Sequence, residues 1–304
     1  MVTYLDIQRL STEDGPGLRS TVFFKGCPLR CGWCHNPESL RFQPEVLRLE
    51  SRCIGCGLCG KACVNGAQGA EIDRTACIGC LCCVAACPGG AMETKGTQAA
   101  PEALCEELCL DRAYFGSDGG VTLSGGEALS QAEGAIELLR FLRERGIHTA
   151  LDTCGEVPWD VLEASIPYTN LFLYDIKLMD SEAHRALTGV PNARILENAK
   201  KLAAHPEVTA IWVRTPVIPG ATDSEENLRA IGRFLREHMP QTERWELCAF
   251  NPLGRDKYRR LGLSYAYQDT PLYTKQAMES LCRAAKEECE AAVWSGATQV
   301  ENSL

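Results

Sequence analysis

The chain contains TVFFKG at residues 21–26, followed directly by CPLRCGWC at residues 27–34. The first run is apolar, rich in β-branched and aromatic residues, and ends at a glycine, which predicts a buried strand. The cysteines of the second run therefore follow the carboxyl end of a strand. Three thiolates, from Cys27, Cys31 and Cys34, can hold an iron–sulfur cube and leave one iron open to an outside ligand. A zinc knuckle completed by His35 is the alternative interpretation of this stretch.

Downstream of this strand, β-rich runs alternate with segments of helical period. The runs predict strands at residues 119–127, 147–155, 171–177, 208–220 and 244–254, and the periodic segments predict helices at residues 132–145, 161–165, 196–204, 225–239 and 275–292. Strands separated by helices form parallel sheets. With the run at residues 21–26 there are six βα units, too few for a closed eight-stranded barrel. We therefore expect an α/β fold built as a partial (β/α)6 TIM-like barrel.

Side chains suited to binding metals or ligands follow the predicted strands. They are Cys27, Glu127, Asp152, Lys177, Arg214 and Asn251. Parallel α/β proteins bind their ligands at the carboxyl ends of the strands, where such residues meet at one edge of the sheet. The sequence therefore predicts one site at that edge.

Residues 53–63 and 77–87 repeat one cysteine pattern, CIGCGLCGKAC and then CIGCLCCVAAC, at an interval of 24 residues. Two-cluster ferredoxins use this spacing, with the fourth cysteine of each run serving the other cluster. The pattern predicts one auxiliary [4Fe–4S] cluster on Cys53, Cys56, Cys59 and Cys87, and a second on Cys77, Cys80, Cys83 and Cys63. Structural zinc is the alternative, and Cys82 is interpreted as a surplus thiol.

The repeat divides the chain into three segments. We expect residues 1–48 to hold the first βα unit with its cysteine loop, residues 49–96 to form an inserted ferredoxin-like α+β domain, and residues 97–304 to complete the barrel. The insert has little apolar volume, so bound clusters would have to supply its folding free energy.

The composition excludes several classes of protein. The chain has 31 basic and 40 acidic residues, a dispersed net charge of −9, which argues against nucleic-acid binding and attachment to anionic lipid. No run of 18 apolar residues and no secretory signal pattern is present. Twelve of the 18 cysteines lie between Cys27 and Cys87, which in an intracellular chain indicates metal binding. We expect a cytoplasmic protein without nucleic-acid or membrane partners.

The motifs together resemble a known family. The Cys-x3-Cys-x2-Cys loop, with an aromatic residue before the third cysteine, is similar to the signature of the radical S-adenosylmethionine (SAM) superfamily. The stretch DGPGLRSTVFFKGCPLRCGWCHNPES at residues 14–39 more narrowly resembles the activating enzymes of glycyl radical enzymes. SGGEAL at 124–129, LDTCG at 151–155, DIK at 175–177, VRTPVIPG at 213–220 and FNPLG at 250–254 are similar to later motifs of that family, in the same order.

The resemblance implies an activity and its cofactors. It implies a catalytic [4Fe–4S] cluster that delivers one electron to bound SAM, yielding methionine and a 5′-deoxyadenosyl radical, which removes a Cα hydrogen from a glycine of a partner glycyl radical enzyme. With the ferredoxin-like insert the chain would hold three [4Fe–4S] clusters. Flavodoxin or ferredoxin is the expected electron donor.

The resemblance also assigns roles to matched positions. It implies catalytic roles for Cys27, Cys31, Cys34 and Lys177, and SAM contacts from Trp33, Cys34, His35, Gly125, Gly126, Glu127, Asp175, Ile176, Lys177 and Asn251. Glu127 would face the methionyl ammonium group, and Asn251 stands where the formate-lyase activase has histidine. Asp152 and Thr153 match ligands of a monovalent cation, and Asp14 and Arg214 match residues that face the substrate peptide.

Two other functions are compatible with parts of the sequence. A radical SAM enzyme acting directly on a small molecule or a peptide would share the same motifs. An electron-transfer module would explain the insert, but it would not need the three-cysteine loop or the GGE triplet at residues 125–127.

Overall fold

The computed structural model of the chain describes residues 1–69 and 71–300, and contains a nine-stranded and a two-stranded sheet. The described strands are β1 (Val2–Ser11), β2 (Arg19–Phe24), β3 (Glu45–Arg48), β4 (Met92–Lys95), β5 (Thr97–Ala99), β6 (Gly120–Gly125), β7 (His148–Thr153), β8 (Leu171–Asp175), β9 (Ile211–Val217), β10 (Arg244–Ala249) and β11 (Ala292–Ser295). The described α-helices are α1 (Leu58–Ala62), α2 (Cys82–Ala85), α3 (Pro101–Cys109), α4 (Ala132–Glu144), α5 (Trp159–Ser165), α6 (Ser181–Thr188), α7 (Ala193–Ala204), α8 (Glu225–His238), α9 (Arg255–Leu261) and α10 (Lys275–Lys286).

The large sheet follows the order β11-β10-β9-β8-β7-β6-β2-β1-β5. All ladders from β2 to β11 are parallel, and β1 pairs antiparallel with both β2 and β5. The six strands predicted from the sequence lie side by side in chain order, joined by helices. The expected α/β class with a mostly parallel sheet is confirmed. Among the described residues, no ladder joins the two outermost strands, β5 and β11, so the sheet is open.

The two faces of this sheet differ in polarity because successive side chains of a strand point to opposite sides. One face packs against the helices through completely buried apolar residues such as Val22, Leu123, Leu151, Phe172 and Val213. The other face carries polar and charged side chains, among them Thr21, Thr122, Asp152, Asp175 and Arg214. The parallel strands therefore enclose a polar interior that opens at their carboxyl ends.

Among the elements that differ from the sequence prediction are two strands of the large sheet. The helix expected at residues 275–292 ends at Lys286, and the following segment forms β11, a seventh parallel strand beside β10. Only four residues long, β11 is too short for periodicity to identify. The second is β1, which the sequence did not suggest and whose register with β2 is interrupted by two irregularities.

The insert is attached through a two-stranded stem. β3 pairs antiparallel with β4, so that Glu45 lies opposite Lys95. The predicted boundary at residue 49 falls directly after β3, although β4 lies inside the predicted insert. Lys25, completely buried at the end of β2, pairs with Glu45 at 3.0 Å and thus joins the stem to the barrel.

The two halves of the insert repeat each other in backbone conformation as well as in sequence. Gly55 and Gly79 share a φ of 69°, and Gly57 at 68° matches Leu81 at 63°. The sulfur of Cys63 accepts a hydrogen bond from the amide of Ala67, and the sulfur of Cys87 accepts one from the amide of Ala91, both at 3.2 Å. The repeat therefore bends the backbone around two similar cysteine loops.

Between residues 1 and 300, leaving out residue 70, no helix is long and apolar enough to cross a membrane.

Candidate active site at the carboxyl edge of the sheet

A cavity of about 310 Å³ opens at the carboxyl ends of β2 and β6–β10. Cys27, Cys31 and Cys34 all line it, as the sequence predicted for one shared site. Trp33 and His35 line it as well. A larger hollow of about 630 Å³ lies between α9 and the insert, and none of the predicted site residues lines it.

Backbone hydrogen bonds hold the cysteine loop in place. The amide of Arg30 donates to the carbonyl of Thr188 at 2.6 Å, and the amide of Gly32 donates to the carbonyl of Leu187 at 3.2 Å. The loop is therefore fastened to the end of α6. Burial raises the pKa of Cys31 to about 12 and that of Cys34 to about 11, so both thiols stay protonated until a metal takes the place of the proton.

The donor set at this site suits a cluster with an open iron. Three thiols on one loop reach the same cavity, and His35, the fourth ligand of the zinc alternative, has its Nε2 3.0 Å from the carbonyl oxygen of Asn251. Burial lowers the pKa of His35. Within residues 1–69 and 71–300, no three His, Cys, Asp or Glu side chains are placed to hold a single metal ion.

The two glycines of the GGE triplet permit close packing of backbones. Gly125 has a φ of 105°, and a Cβ there would collide with the backbone of Phe24 on β2. A Cβ on Gly126 would collide with the carbonyl oxygen of Gly26. Both glycines also line the cavity. Their small size thus serves the β2–β6 junction in addition to the approach of a ligand.

Glu127 lies in a different place from the one expected. Its side chain is completely buried, and it does not belong to the cavity wall. One carboxylate oxygen accepts from the hydroxyl of Thr153 at 2.9 Å and from the amide of Cys154 at 2.8 Å, and the other accepts from the amide of Leu129 at 3.2 Å. These contacts join the ends of β6 and β7.

Lys177 and Asp175 form a pair on the cavity wall. Nζ of Lys177 donates to Oδ2 of Asp175 at 2.5 Å, and both residues point to the inner face as expected for two residues separated by one. Burial by itself lowers the Lys177 pKa, but the carboxylate of Asp175 and the thiol of Cys31 outweigh it, so the pKa is raised. A lysine at this position therefore stays positively charged beside the cysteine loop.

Arg214 lies among three carboxylates inside the barrel. Its guanidinium is 3.9 Å from Asp14, 3.6 Å from Asp152 and 3.8 Å from Glu246. Asp14 itself accepts hydrogen bonds from Ser11 and Thr21. The predicted peptide-facing residues, Asp14 and Arg214, thus come together on the cavity wall.

Protein groups surround the pair predicted to bind a monovalent cation. Oδ2 of Asp152 accepts from the hydroxyl of Ser124 at 2.6 Å and faces Arg214. The hydroxyl of Thr153 donates to Glu127, and its side chain is on the outer face of β7. Burial raises the pKa of Asp152 to about 7 although Arg214 opposes this shift. The two side chains therefore lie on opposite faces of one strand.

Two more predicted contacts lie off the cavity wall. Ile176 is 1% exposed and packs into the apolar core, while its backbone pairs with β9. The side chain of Asn251 accepts from the amide of Leu253 at 3.2 Å, and only its backbone carbonyl contacts the cysteine loop, through His35.

The cysteines predicted to bind the auxiliary clusters differ in where they lie. A small pocket in the insert is lined by Cys63, Cys77, Cys80 and Cys83. Of the other set, Cys59 and Cys87 pack against the same apolar cluster as Cys83, and Cys53 and Cys56 are exposed. Cys82 is exposed, and its sulfur lies 3.9 Å from the carbonyl oxygen of Cys80.

Several cavity residues were not assigned a role from the sequence. Cys154, Cys248 and Ser124 line the cavity, and Glu246 contacts Arg214 from β10. The alternation of side chains along a strand could have indicated these residues, because side chains two residues apart point to the same face. Glu246 and Cys248 are related in this way, and so are Asp152 and Cys154.

Comparisons with known proteins agree with this geometry. The family model described as the radical SAM superfamily matches residues 21–230. The isethionate sulfite-lyase activating enzyme of Desulfovibrio desulfuricans is 43% identical over 268 residues, covering 84% of this chain and 85% of the relative. The choline trimethylamine-lyase activating enzyme of Oleidesulfovibrio alaskensis is 38% identical over 290 residues, covering 90% of this chain and 91% of the relative.

A solved structure is similar to this chain in its fold only. Streptococcus suis SuiB bound to its precursor peptide SuiA superimposes with a TM-score of 0.54 at 12% identity, covering 89% of this chain and 46% of SuiB.

Proposed function

We propose that this chain, which belongs to the radical SAM superfamily and within it to the activating enzymes of glycyl radical enzymes, carries out its reaction in the 310 Å³ cavity at the carboxyl ends of β2 and β6–β10. The family implies a [4Fe–4S] cluster and SAM, and its members activate a partner glycyl radical enzyme. The observation that carries the placement is that Cys27, Cys31 and Cys34 line the same cavity as Lys177.

The residues of the cavity have separable roles in this proposal. When bound, the cluster would supply the electron that cleaves SAM to methionine and a 5′-deoxyadenosyl radical, and this radical would take a Cα hydrogen from the partner's glycine. The thiolates of Cys27, Cys31 and Cys34 would hold the cluster. Lys177, kept positively charged by Asp175, binds the carboxylate or ribose of SAM. Trp33 and His35 border the adenine, and Gly125 and Gly126 let the methionyl end approach the backbone of β6.

Asp14 and Arg214 are proposed to receive the glycine-bearing loop of the partner. Both line the cavity, and their side chains lie 3.9 Å apart. Glycine suits the reaction because its Cα has two hydrogens and no side chain to block the approach. The Arg214 guanidinium can donate to peptide carbonyls while the surrounding carboxylates retain its charge.

The insert is proposed to hold two auxiliary [4Fe–4S] clusters that pass electrons from flavodoxin or ferredoxin to the catalytic cluster. The cysteine pocket around Cys63, Cys77, Cys80 and Cys83 supports the second of them. Reduced thiols in such number suit a cytoplasmic location. The triple variant Cys53→Ala, Cys56→Ala and Cys59→Ala should slow activation driven by flavodoxin much more than activation driven by dithionite.

The placement of the catalytic cluster is tested with Cys31→Ala. The variant, reconstituted anaerobically, should keep the iron of the two auxiliary clusters but release no 5′-deoxyadenosine from SAM, because one of three thiolate ligands is gone. Product release is followed by chromatography, and the glycyl doublet of a candidate partner is followed by electron paramagnetic resonance. Cys82→Ala is the matched control and should retain both signals. Normal 5′-deoxyadenosine release by Cys31→Ala would refute the assignment.

A further inference from the structure

A buried carboxylate and a thiol lie directly behind one of the proposed cluster ligands. Cys27 and Cys154 pack against each other and against Leu29 in a small buried cluster. The backbone amide of Cys154 donates to Glu127 at 2.8 Å. Glu127, Cys154 and Cys27 thus form a continuous series from the interior of the protein to the cavity.

We propose that Cys154 is a positioning residue that donates a hydrogen bond from its thiol to the cluster-bound sulfur of Cys27 and so sets the reduction potential of the catalytic cluster, an inference that rests on the proposed function of Cys27. Glu127 holds Cys154 in place by accepting from its backbone amide. This role explains why the carboxylate of the GGE triplet turns away from the cavity.

The hydrogen-bonding capacity of Glu127 supports this assignment. Its two oxygens already accept from the amides of Leu129 and Cys154 and from the hydroxyl of Thr153. The Cys154 thiol has one hydrogen, and both the Glu127 carboxylate and the Cys27 sulfur lie within its reach. Because Glu127 already accepts three hydrogen bonds, a Cys27 thiolate that binds iron has the greater free capacity to accept this hydrogen. Cys154 is 5% exposed, so its contact with bulk water is small.

The direction of the effect follows from electrostatics. A reduced cluster carries one more negative charge than an oxidised cluster, and a donor to a ligand sulfur stabilises that extra charge. Removing the thiol should therefore shift the potential to more negative values. A serine at the same position keeps an O–H donor of similar size and should prevent that shift.

The test is a redox titration of the anaerobic holoprotein followed by electron paramagnetic resonance. The catalytic cluster is identified as the one whose signal changes when SAM is added. Cys154→Ala should give a more negative midpoint potential than the wild type, and Cys154→Ser a potential equal to or more positive than the wild type. Cys248→Ala removes another thiol from the same cavity wall and should leave the midpoint unchanged. Equal shifts in the alanine and serine variants of Cys154, or no shift in either, would overturn the proposal.

A second measurement needs no cluster. In cluster-free protein, diamide oxidises two neighbouring thiols to a disulfide and is itself reduced to the hydrazine. Peptide mass spectrometry should find Cys27 joined to Cys154, with Cys105 and Cys109, whose sulfurs are 3.9 Å apart, as the positive control. If the control pair forms while Cys27 joins only Cys31 or Cys34, the contact is refuted. That failure would leave the Cys31→Ala result, and hence the proposed function, unaffected.

Discussion

The guanidinium of Arg214 on β9 lies 3.6 Å from Oδ2 of Asp152 on β7, across the intervening strand β8. Asp14 and Glu246 approach the same guanidinium, so one arginine compensates three carboxylates inside the barrel. A buried charge that loses its partner destabilises a protein far more than an exposed one does. This relationship makes Arg214 important for folding as well as for the proposed peptide contact.

Arg214→Met should lower the free energy of unfolding by about 3 kcal/mol at neutral pH, because it removes the counter-charge of Asp14 and Asp152, whereas Glu246 keeps its ion pair with Arg244. Anaerobic urea denaturation followed by circular dichroism measures the change. Arg229→Met is the control, since Arg229 makes its ion pairs with Glu225 and Glu287 at the surface. Its midpoint should stay close to that of the wild type. Equal losses in the two variants would contradict the importance of the interior charges.

His148 should make the stability of the protein depend on pH. Burial, together with Arg19 and Arg143, lowers the pKa of His148 to about 4, although Asp118 opposes the shift. The folded protein therefore keeps His148 neutral, while the unfolded chain takes up a proton as the pH falls below about 6.5. The contribution is fully present above that pH and is lost as the pH falls through the folded-state pKa of about 4.

His148→Asn should reduce this pH dependence, because Asn offers an acceptor to Arg19 in place of Nδ1, which lies 3.3 Å from that guanidinium, but does not titrate. Thermal unfolding midpoints of the two proteins, recorded from pH 7 down to pH 5, should converge as the pH falls. His205→Asn, at a surface turn, is the matched control. Parallel curves for wild type and His148→Asn would show that the histidine has no such effect.

Removal of one auxiliary ligand should be visible as a loss of iron. Cys63→Ala deletes a thiol from the pocket shared with Cys77, Cys80 and Cys83, so the reconstituted protein should hold less iron and labile sulfide than the wild type. Cys82→Ala, in the same loop, should bind the wild-type amount because Cys82 is exposed and lies outside that pocket. An equal loss in the Cys82 variant would mean that the ligands are assigned wrongly.

Gly126→Ala should disturb the junction between the cysteine loop and β6. The added Cβ would collide with the carbonyl oxygen of Gly26, which the amide of Glu127 also contacts at 2.8 Å. Overpacking of this kind costs about 1–3 kcal/mol. Gly69→Ala is the comparison, since its nearest contact would be at an ordinary 3.5 Å. The free energies of unfolding of both variants decide whether the glycine is needed for the fold or only for a ligand.

The sequence predicts the barrel well because long periodic segments carry most of the signal. α4 and α8 were expected within one residue of their observed ends, and the parallel strands follow from their apolar runs. The pattern fails where an element is short, as in β11, or where pairing rather than composition defines it, as in β1. Such strands exist because a neighbour supplies their hydrogen bonds.

The site was predicted less completely than the fold. Motifs identify Cys27, Glu127 and Lys177, but a motif does not give the direction of a side chain. The Glu127 side chain is completely buried and does not line the cavity. Likewise, the proximity of Glu246 to Arg214 depends on the register of β9 against β10, which local sequence does not specify.

The stem made by β3 and β4 bears on how such proteins diversify. Chain entry at Glu45 and chain exit at Lys95 face each other across a single ladder, so everything between them can be exchanged without rethreading the barrel. A short hairpin could replace that stretch provided that Glu45 remains to neutralise Lys25. The two-stranded stem would allow this cysteine-rich segment to be exchanged as a unit without altering the strands of the large sheet.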